Sequence, residues 1–134
     1  MTDDTTPGRR GRIVLVADDD RDIRDLVAVK LQNAGFEVIT VGDGAEALAA
    51  ARKHQPDLAI LDVMMQGLSG LEVVRQLRED PDTQSIPAIL LTAKSQEFDV
   101  KAGLSLGAAD YVIKPFSPRE LLQRVNAVLD QTEP

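Results

Sequence analysis

Short apolar runs alternate with longer amphipathic stretches along almost the whole chain. The runs Ile13–Ala17, Phe36–Val41, Leu58–Leu61, Ile86–Leu91 and Tyr111–Ile113 recur at roughly 25-residue spacing and are mostly rich in β-branched residues, so each predicts a strand. They are continuous rather than alternating, which predicts burial on both faces. Between them the apolar spacing turns helical: Ile23, Leu26, Val27 and Leu31; Leu71, Val74 and Leu77; Leu121, Leu122, Val125, Val128 and Leu129. Ala45–Ala51 combines high helix propensity with little bulk, as in a thin helix lying close on a sheet. Ser69-Gly-Leu-Glu72 and Ser117-Pro-Arg-Glu120 read as capping boxes, the second with Pro118 at the first helical position. Asp43 and Ser95 are cap candidates for two further helices, the later one covering about Gln96–Leu106. Strand followed by helix, repeated with right-handed parallel crossovers, predicts an α/β fold: a (βα)5 doubly wound parallel sheet. In such sheets the functional site lies at the carboxyl ends of the strands.

Residues 1–11 are polar, contain Pro7, Gly8 and Gly11, and carry no apolar period, so a mobile N-terminal tail is expected before a single domain over 12–130 and a short tail over 131–134. The 134 residues carry 15 Lys and Arg against 22 Asp and Glu, a net charge of −7, which disfavours unassisted binding to DNA or to an anionic membrane. With three Phe, one Tyr and no Trp there is little from which to build a stacking platform for single-stranded nucleic acid. The absence of Cys excludes disulfides, thiolate metal sites and cysteine nucleophiles, and His54 stands alone, so any metal must be held mainly by oxygen. Arg9-Arg10 precedes an apolar run of only five residues that ends in three aspartates, a poor export signal, so a cytoplasmic location is expected.

The strand ends carry the chemistry. The first predicted strand runs into Asp18-Asp19-Asp20, the third into Asp62, the fourth into Thr92 and the fifth into Lys114. Converging carboxylates repel one another unless a cation sits among them, and without His or Cys that cation is Mg²⁺ or a close relative such as Mn²⁺. Each residue alone has an ordinary structural explanation: an acidic helix start, a strand-end hydroxyl bonded to local backbone, a solvated charge. All four strand ends together do not.

From about Arg12 to Asp130 the chain resembles the response regulator receiver domain of two-component signalling. The resemblance rests on Ile-Val-Leu-Val-Ala-Asp-Asp-Asp (13–20), Leu-Asp-Val-Met-Met (61–65), Gly-Leu-Ser-Gly-Leu-Glu (67–72), Leu-Leu-Thr-Ala (90–93) and Gly-Ala-Ala-Asp-Tyr-Val-Ile-Lys-Pro-Phe-Ser (107–117). It implies a flavodoxin-like sheet of order 2-1-3-4-5 and a phosphoacceptor switch rather than an enzyme, with Asp62 accepting the phosphoryl group. Asp18 and Asp19 become the acidic pair, and the Met64 carbonyl completes the protein's share of a Mg²⁺ shell. Asp20 becomes a cap or solvated neighbour. Thr92 would donate its hydroxyl to the bound phosphoryl group, beside the small Ala93, while Tyr111 is the aromatic that follows Thr92 inward. Lys114-Pro115 matches the family's cis bond. The implied donor is a sensor histidine kinase or phosphotransfer protein, and the implied output surface is the fourth helix, fifth strand and fifth helix.

The sequence is most similar to receivers of winged-helix transcription factors, which dimerise through that surface by reciprocal charge pairs. Asp110, Glu120 and Arg124 match three of the charged positions, whereas Val100 and Ala109 stand where a base and an acid are usual. A monomer, or at most a weak phosphorylation-dependent dimer, is therefore expected to signal to another protein and not to nucleic acid. Too few residues follow Leu129 for an output domain, so the reading is a stand-alone receiver. Gln66 replaces the family's usual Pro, which predicts a more mobile loop from Asp62 to Ser69. Met64 and Lys94, two positions after Asp62 and Thr92, cannot accept a proton from a hydrolytic water, which predicts slow self-dephosphorylation.

Two other readings compete. A haloacid-dehalogenase-like phosphohydrolase would use Asp18 as nucleophile with Asp20, but it needs a further strand-end acidic pair after Lys114, and only Glu120, Asp130 and Glu133 remain. Gly42-Asp-Gly44-Ala-Glu-Ala47, with Asp62 twenty residues after Gly42, imitates a dinucleotide fingerprint. That reading leaves Asp18, Asp19, Thr92 and Lys114 without a role, and the glycines fit a turn and helix entry better.

Overall fold

The structure, a computed structural model, describes residues 11–93 and 97–132, without the side chains of 97–100. Strands β1 (Ile13–Ala17), β2 (Glu37–Val41), β3 (Leu58–Asp62), β4 (Ala88–Ala93) and β5 (Asp110–Lys114) alternate with helices α1 (Arg21–Asn33), α2 (Gly44–His54), α3 (Gly70–Glu79), α4 (Glu97–Ser105) and α5 (Pro118–Thr132). Every strand pairing is parallel and the order is β2-β1-β3-β4-β5, the flavodoxin-like (βα)5 sheet expected. Lys94, Ser95 and Gln96 lie outside the described residues, as do positions 1–10 of the expected N-terminal tail and 133–134 of the C-terminal one. Helix α5 continues to Thr132, two residues past the expected domain end.

Alternation along each strand divides the core into two layers. Val14, Val16, Ile60, Ile89 and Leu91 face α1 and α5, where Val27, Leu31, Leu121, Val125 and Leu129 cover them. Leu15, Ala17, Ala59, Leu61 and Leu90 face the other way, under Ala47, Ala51, Val73, Val74 and Leu77 of α2 and α3. Burying one such Leu or Val fully stabilises the fold by about 1.5–3 kcal/mol before entropy is set against it. Two-sided burial holds for the central strands β1, β3 and β4; β2 and β5, at the edges, are only partly covered. Strand β4 begins two residues later than its apolar run. Ile86 N is committed to a turn bond with Thr83 O, and Pro87, lacking an N–H, contributes only its carbonyl, to Ala59 N at 2.9 Å.

Side-chain caps start α1, α2, α3 and α5, while the Ser95 cap expected for α4 lies outside the described residues. Asp20 accepts from Asp22 N and Ile23 N, Asp43 from Glu46 N, Ser69 from Glu72 N and Ser117 from Glu120 N. The box at Ser69 is half made, because Glu72 turns to the Arg75 guanidinium at 2.6 Å. Among the described residues no helix is long and apolar enough to cross a membrane.

Candidate functional site

Strand β1 delivers Asp18 to the carboxyl edge of the sheet, fully buried. Its N–H donates to Val41 O at 3.2 Å and its Oδ1 accepts from Asp20 N at 2.9 Å, so the end of β1 is tied to β2 and to the cap of α1. Strand β3 delivers Asp62, whose Oδ1 accepts from Met64 N at 3.3 Å. A Cβ on Gly70, the first residue of α3, would lie 2.4 Å from Asp62 O, so only glycine lets α3 start this close behind Asp62. A Cβ on Gly44 would lie 2.3 Å from Leu68 O, seating α2 on the same loop. Between these contacts Met64, Gln66 and Gly67 are exposed, and Gly67 takes φ +78°.

Asp18, Asp19 and Asp62 each place a carboxylate oxygen within 4.8 Å of the others. From β5, Lys114 Nζ lies 3.1 Å from Asp18 Oδ2 and 3.3 Å from Asp62 Oδ2. Oδ2 of Asp18 is nevertheless buried without a directed hydrogen bond, although the ammonium stands within ion-pair range. Three carboxylates against one ammonium leave negative charge in excess. Burial, with the Asp18 charge adding to the rise and Lys114 opposing it, leaves the Asp62 pKa pushed up to about 6. Burial alone would lower the Lys114 pKa, but Asp62 and Asp18 outweigh it and the ammonium is held above its usual value. An under-bonded buried carboxylate oxygen, two more carboxylates within reach and no nitrogen or sulfur donor together fit a hard divalent cation.

Thr92 is fully buried at the end of β4, its hydroxyl donating to Ala93 O at 3.2 Å. Tyr111 is partly buried against the α2 and α3 side of the core, and the Met64 side chain is 62% exposed. The Lys114–Pro115 peptide is cis. Asp18, Asp19, Asp62 and Lys114 therefore converge, with Thr92 on the adjacent strand end and its hydroxyl turned to local backbone. Asp110 and Arg124, two of the charges matched to dimer positions, pair with each other within the chain at 3.0 Å. Lys94 lies outside the described residues, as does the side chain of Val100.

The dinucleotide imitation fails on geometry. Asp43 caps α2, and the bare face of Gly44 is covered by the Leu68 carbonyl instead of being open to a pyrophosphate. The acidic pair required by a phosphohydrolase is also missing among the described residues, since Glu120 and Asp130 lie exposed on α5 and end no strand. One residue at the site escaped the sequence reading. Arg24, half-buried on α1, directs Nη1 to Asp18 O at 3.3 Å, and its only sequence signal is its place one turn after the Asp20 cap.

The chain matches the response regulator receiver domain family over residues 14–126. It is 48% identical over 120 residues to the alkaline phosphatase synthesis transcriptional regulatory protein PhoP of Bacillus subtilis, covering 90% of this chain and 49% of that protein. It is 45% identical over 124 residues to the phosphate regulon transcriptional regulatory protein PhoB of Pseudomonas aeruginosa, covering 92% and 54%. The chain thus spans about half the length of the curated relatives it matches. Among solved structures, a putative response regulator from Chloroflexus aurantiacus superposes with TM-score 0.85 at 36% identity, over 90% of this chain and 99% of that one. The chemotaxis response regulator CheY4 of Vibrio cholerae superposes with TM-score 0.83 at 37% identity, over 88% and 98%. The chain belongs to the response regulator receiver domain family, the phosphoacceptor switch of two-component signalling.

Proposed function

We propose that Asp62 accepts a phosphoryl group from a phosphohistidine on a sensor kinase or phosphotransfer protein, with Mg²⁺ as cofactor and Mn²⁺ as its substitute. The observation that carries this reading is the shared ammonium. Lys114 stands 3.1 Å from Asp18 and 3.3 Å from Asp62, and of these two carboxylates Asp18 is fully buried while Asp62 keeps 5% exposure, so of the pair beside the ammonium Asp62 is the one an incoming phosphorus can reach. An Asp62 oxygen forms the O–P bond as the donor's P–N bond breaks, and the electron pair of that bond returns to the imidazole. Lys114 offsets charge on the phosphoryl oxygens as the group arrives. A divalent cation held by Asp18, Asp19, Asp62 and the Met64 carbonyl would supply further neutralisation when bound. The Thr92 hydroxyl, released from Ala93 O by rotation about χ1, would donate to the new phosphoryl group while Tyr111 follows inward.

The phosphorylated domain, taken as 12–130 between two tails, then biases the surface of α4, β5 and α5 toward a protein target. Relatives of about twice this length are named as transcriptional regulators, so any link to transcription runs through what that surface contacts. Mass analysis after incubation with acetyl phosphate and Mg²⁺ tests the chemistry. One added phosphoryl group is expected, absent in Asp62→Asn and absent with a chelator. Uptake that persists in Asp62→Asn but vanishes in Asp18→Asn would replace this reading with the phosphohydrolase.

A further inference from the structure

Every polar group of Asp18 except Oδ2, which is ion-paired with Lys114, makes a hydrogen bond. Its N–H is bound by Val41 O, its Oδ1 by Asp20 N, and its carbonyl accepts from Arg24 Nη1 at 3.3 Å. That carbonyl belongs to the peptide joining Asp18 to Asp19. Because the peptide is planar, fixing its C=O fixes the direction in which the exposed Asp19 leaves the strand end.

The same guanidinium occupies the space beside Gly42, on the loop between β2 and α2. A Cβ on Gly42 would lie 2.9 Å from Arg24 Nη1, with Glu46 Oε2 next at 3.8 Å. Gly42 is not among the glycines with positive φ, so its backbone does not require glycine; a side chain there would first meet the movable end of Arg24 and push it aside. Glu46 Oε2 also accepts from Gly42 N at 3.0 Å, which holds this loop against the start of α2 and leaves it little freedom to retreat.

We propose that Arg24 is a positioning residue for the acidic pair: it orients the Asp18–Asp19 peptide so that both carboxylates present to a divalent cation, and Gly42 is side-chain-free to admit it. The inference rests on the reading that Asp18 and Asp19 hold such a cation. Its sign sets it apart from simple electrostatics. An arginine near an acidic cluster repels a metal ion, so if charge alone mattered its removal would tighten binding; removal of an orienting bond loosens it.

Calorimetric titration of the full chain with Mg²⁺, alongside thermal melts in chelator, decides the matter. Arg24→Ala and Gly42→Val should each weaken Mg²⁺ binding about three- to tenfold, the worth of one lost hydrogen bond to a partly buried carbonyl. The double variant should be no weaker than the weaker single one, because both changes remove the same contact. The melt of Gly42→Val in chelator should shift little, since the atom it displaces is the end of a flexible side chain. Unchanged or tighter Mg²⁺ binding by Arg24→Ala, or additive losses in the double variant, would overturn the proposal. If Arg24→Ala does not fold, Gly42→Val alone decides, and wild-type affinity in it overturns the proposal. A wild-type chain that binds no Mg²⁺ overturns the functional reading and this inference with it, a result distinct from intact binding that the variants leave untouched.

Discussion

Lys114, on an edge strand, places its ammonium 3.3 Å from Oδ2 of Asp62, which lies two strands away across β4. The contact does not fully offset the cost of ionising Asp62, whose pKa is pushed up to about 6 because burial and the neighbouring Asp18 charge outweigh Lys114. The folded chain therefore holds the Asp62 proton more tightly than the unfolded chain, where the ordinary value is 3.8. Between those values the native state binds more protons, so metal-free stability falls as pH rises through this window and levels off above it. Asp62→Asn should remove that dependence and raise metal-free stability at pH near 7 by about 3 kcal/mol, with little gain near pH 4. Urea unfolding in chelator at the two pH values checks this. A variant less stable than the wild type at neutral pH would mean that the pair with Lys114 stabilises the fold on balance.

The exposed Met64 leads to a kinetic prediction. Hydrolysis of an acyl phosphate at Asp62 needs a water held in line, and a thioether is a poor acceptor for it. Met64→Asn should shorten the phosphoprotein's lifetime, by about tenfold if the amide orients the water through one good hydrogen bond. Because the side chain is 62% exposed, folding stability should barely change. Decay followed by phosphate release gives the answer, and an unchanged lifetime would remove Met64 as a reason to expect slow turnover.

Three glycines near the site should respond differently to a single methyl. At Gly70 the methyl would meet Asp62 O at 2.4 Å, and at Gly44 it would meet Leu68 O at 2.3 Å. Both obstacles are backbone, so Gly70→Ala and Gly44→Ala should each cost about 1–3 kcal/mol or more. At Gly42 the obstacle is a mobile guanidinium and the cost should be small. Chemical unfolding midpoints of the three alanine variants test the ranking. Gly70→Ala should also weaken Mg²⁺ binding, because the methyl displaces the end of the strand that carries Asp62.

Much of this was legible in the chain because strand periodicity, turn chemistry and capping residues agree with one another. Asp20, Asp43, Ser69 and Ser117 all cap in the structure, and Asp18, Asp62 and Lys114 converge because strand ends in a parallel sheet share one edge. What escaped depended on long-range contacts that leave no local pattern. The late start of β4 follows from a turn bond at Ile86, invisible in an apolar run. Arg24 reads as one more helical cation until Gly42 and the Asp18 carbonyl are brought beside it. Arg78 likewise donates to the carbonyls of Gln84, Ile86 and Gly107, a tie across three segments that no spacing rule anticipates.

Arg124 bears on assembly. Its Nη1 lies 3.0 Å from both oxygens of Asp110, and that bond holds its pKa above the ordinary arginine value. A reciprocal pair between two copies would have to draw on charges already satisfied within each copy, so the exchange returns little, and an exposed pair is worth less than about 1 kcal/mol in any case. Ala109, exposed beside Asp110, adds no acid to compensate. The chain should therefore sediment mainly as a monomer at micromolar concentration, with at most weak dimerisation in the beryllofluoride-activated form. Arg124→Ala should leave that behaviour unchanged, since the bond it removes is internal. A tight activated dimer that Arg124→Ala dissolves would mean that these charges re-pair between copies, and the case for a protein target other than a second copy would lose its support.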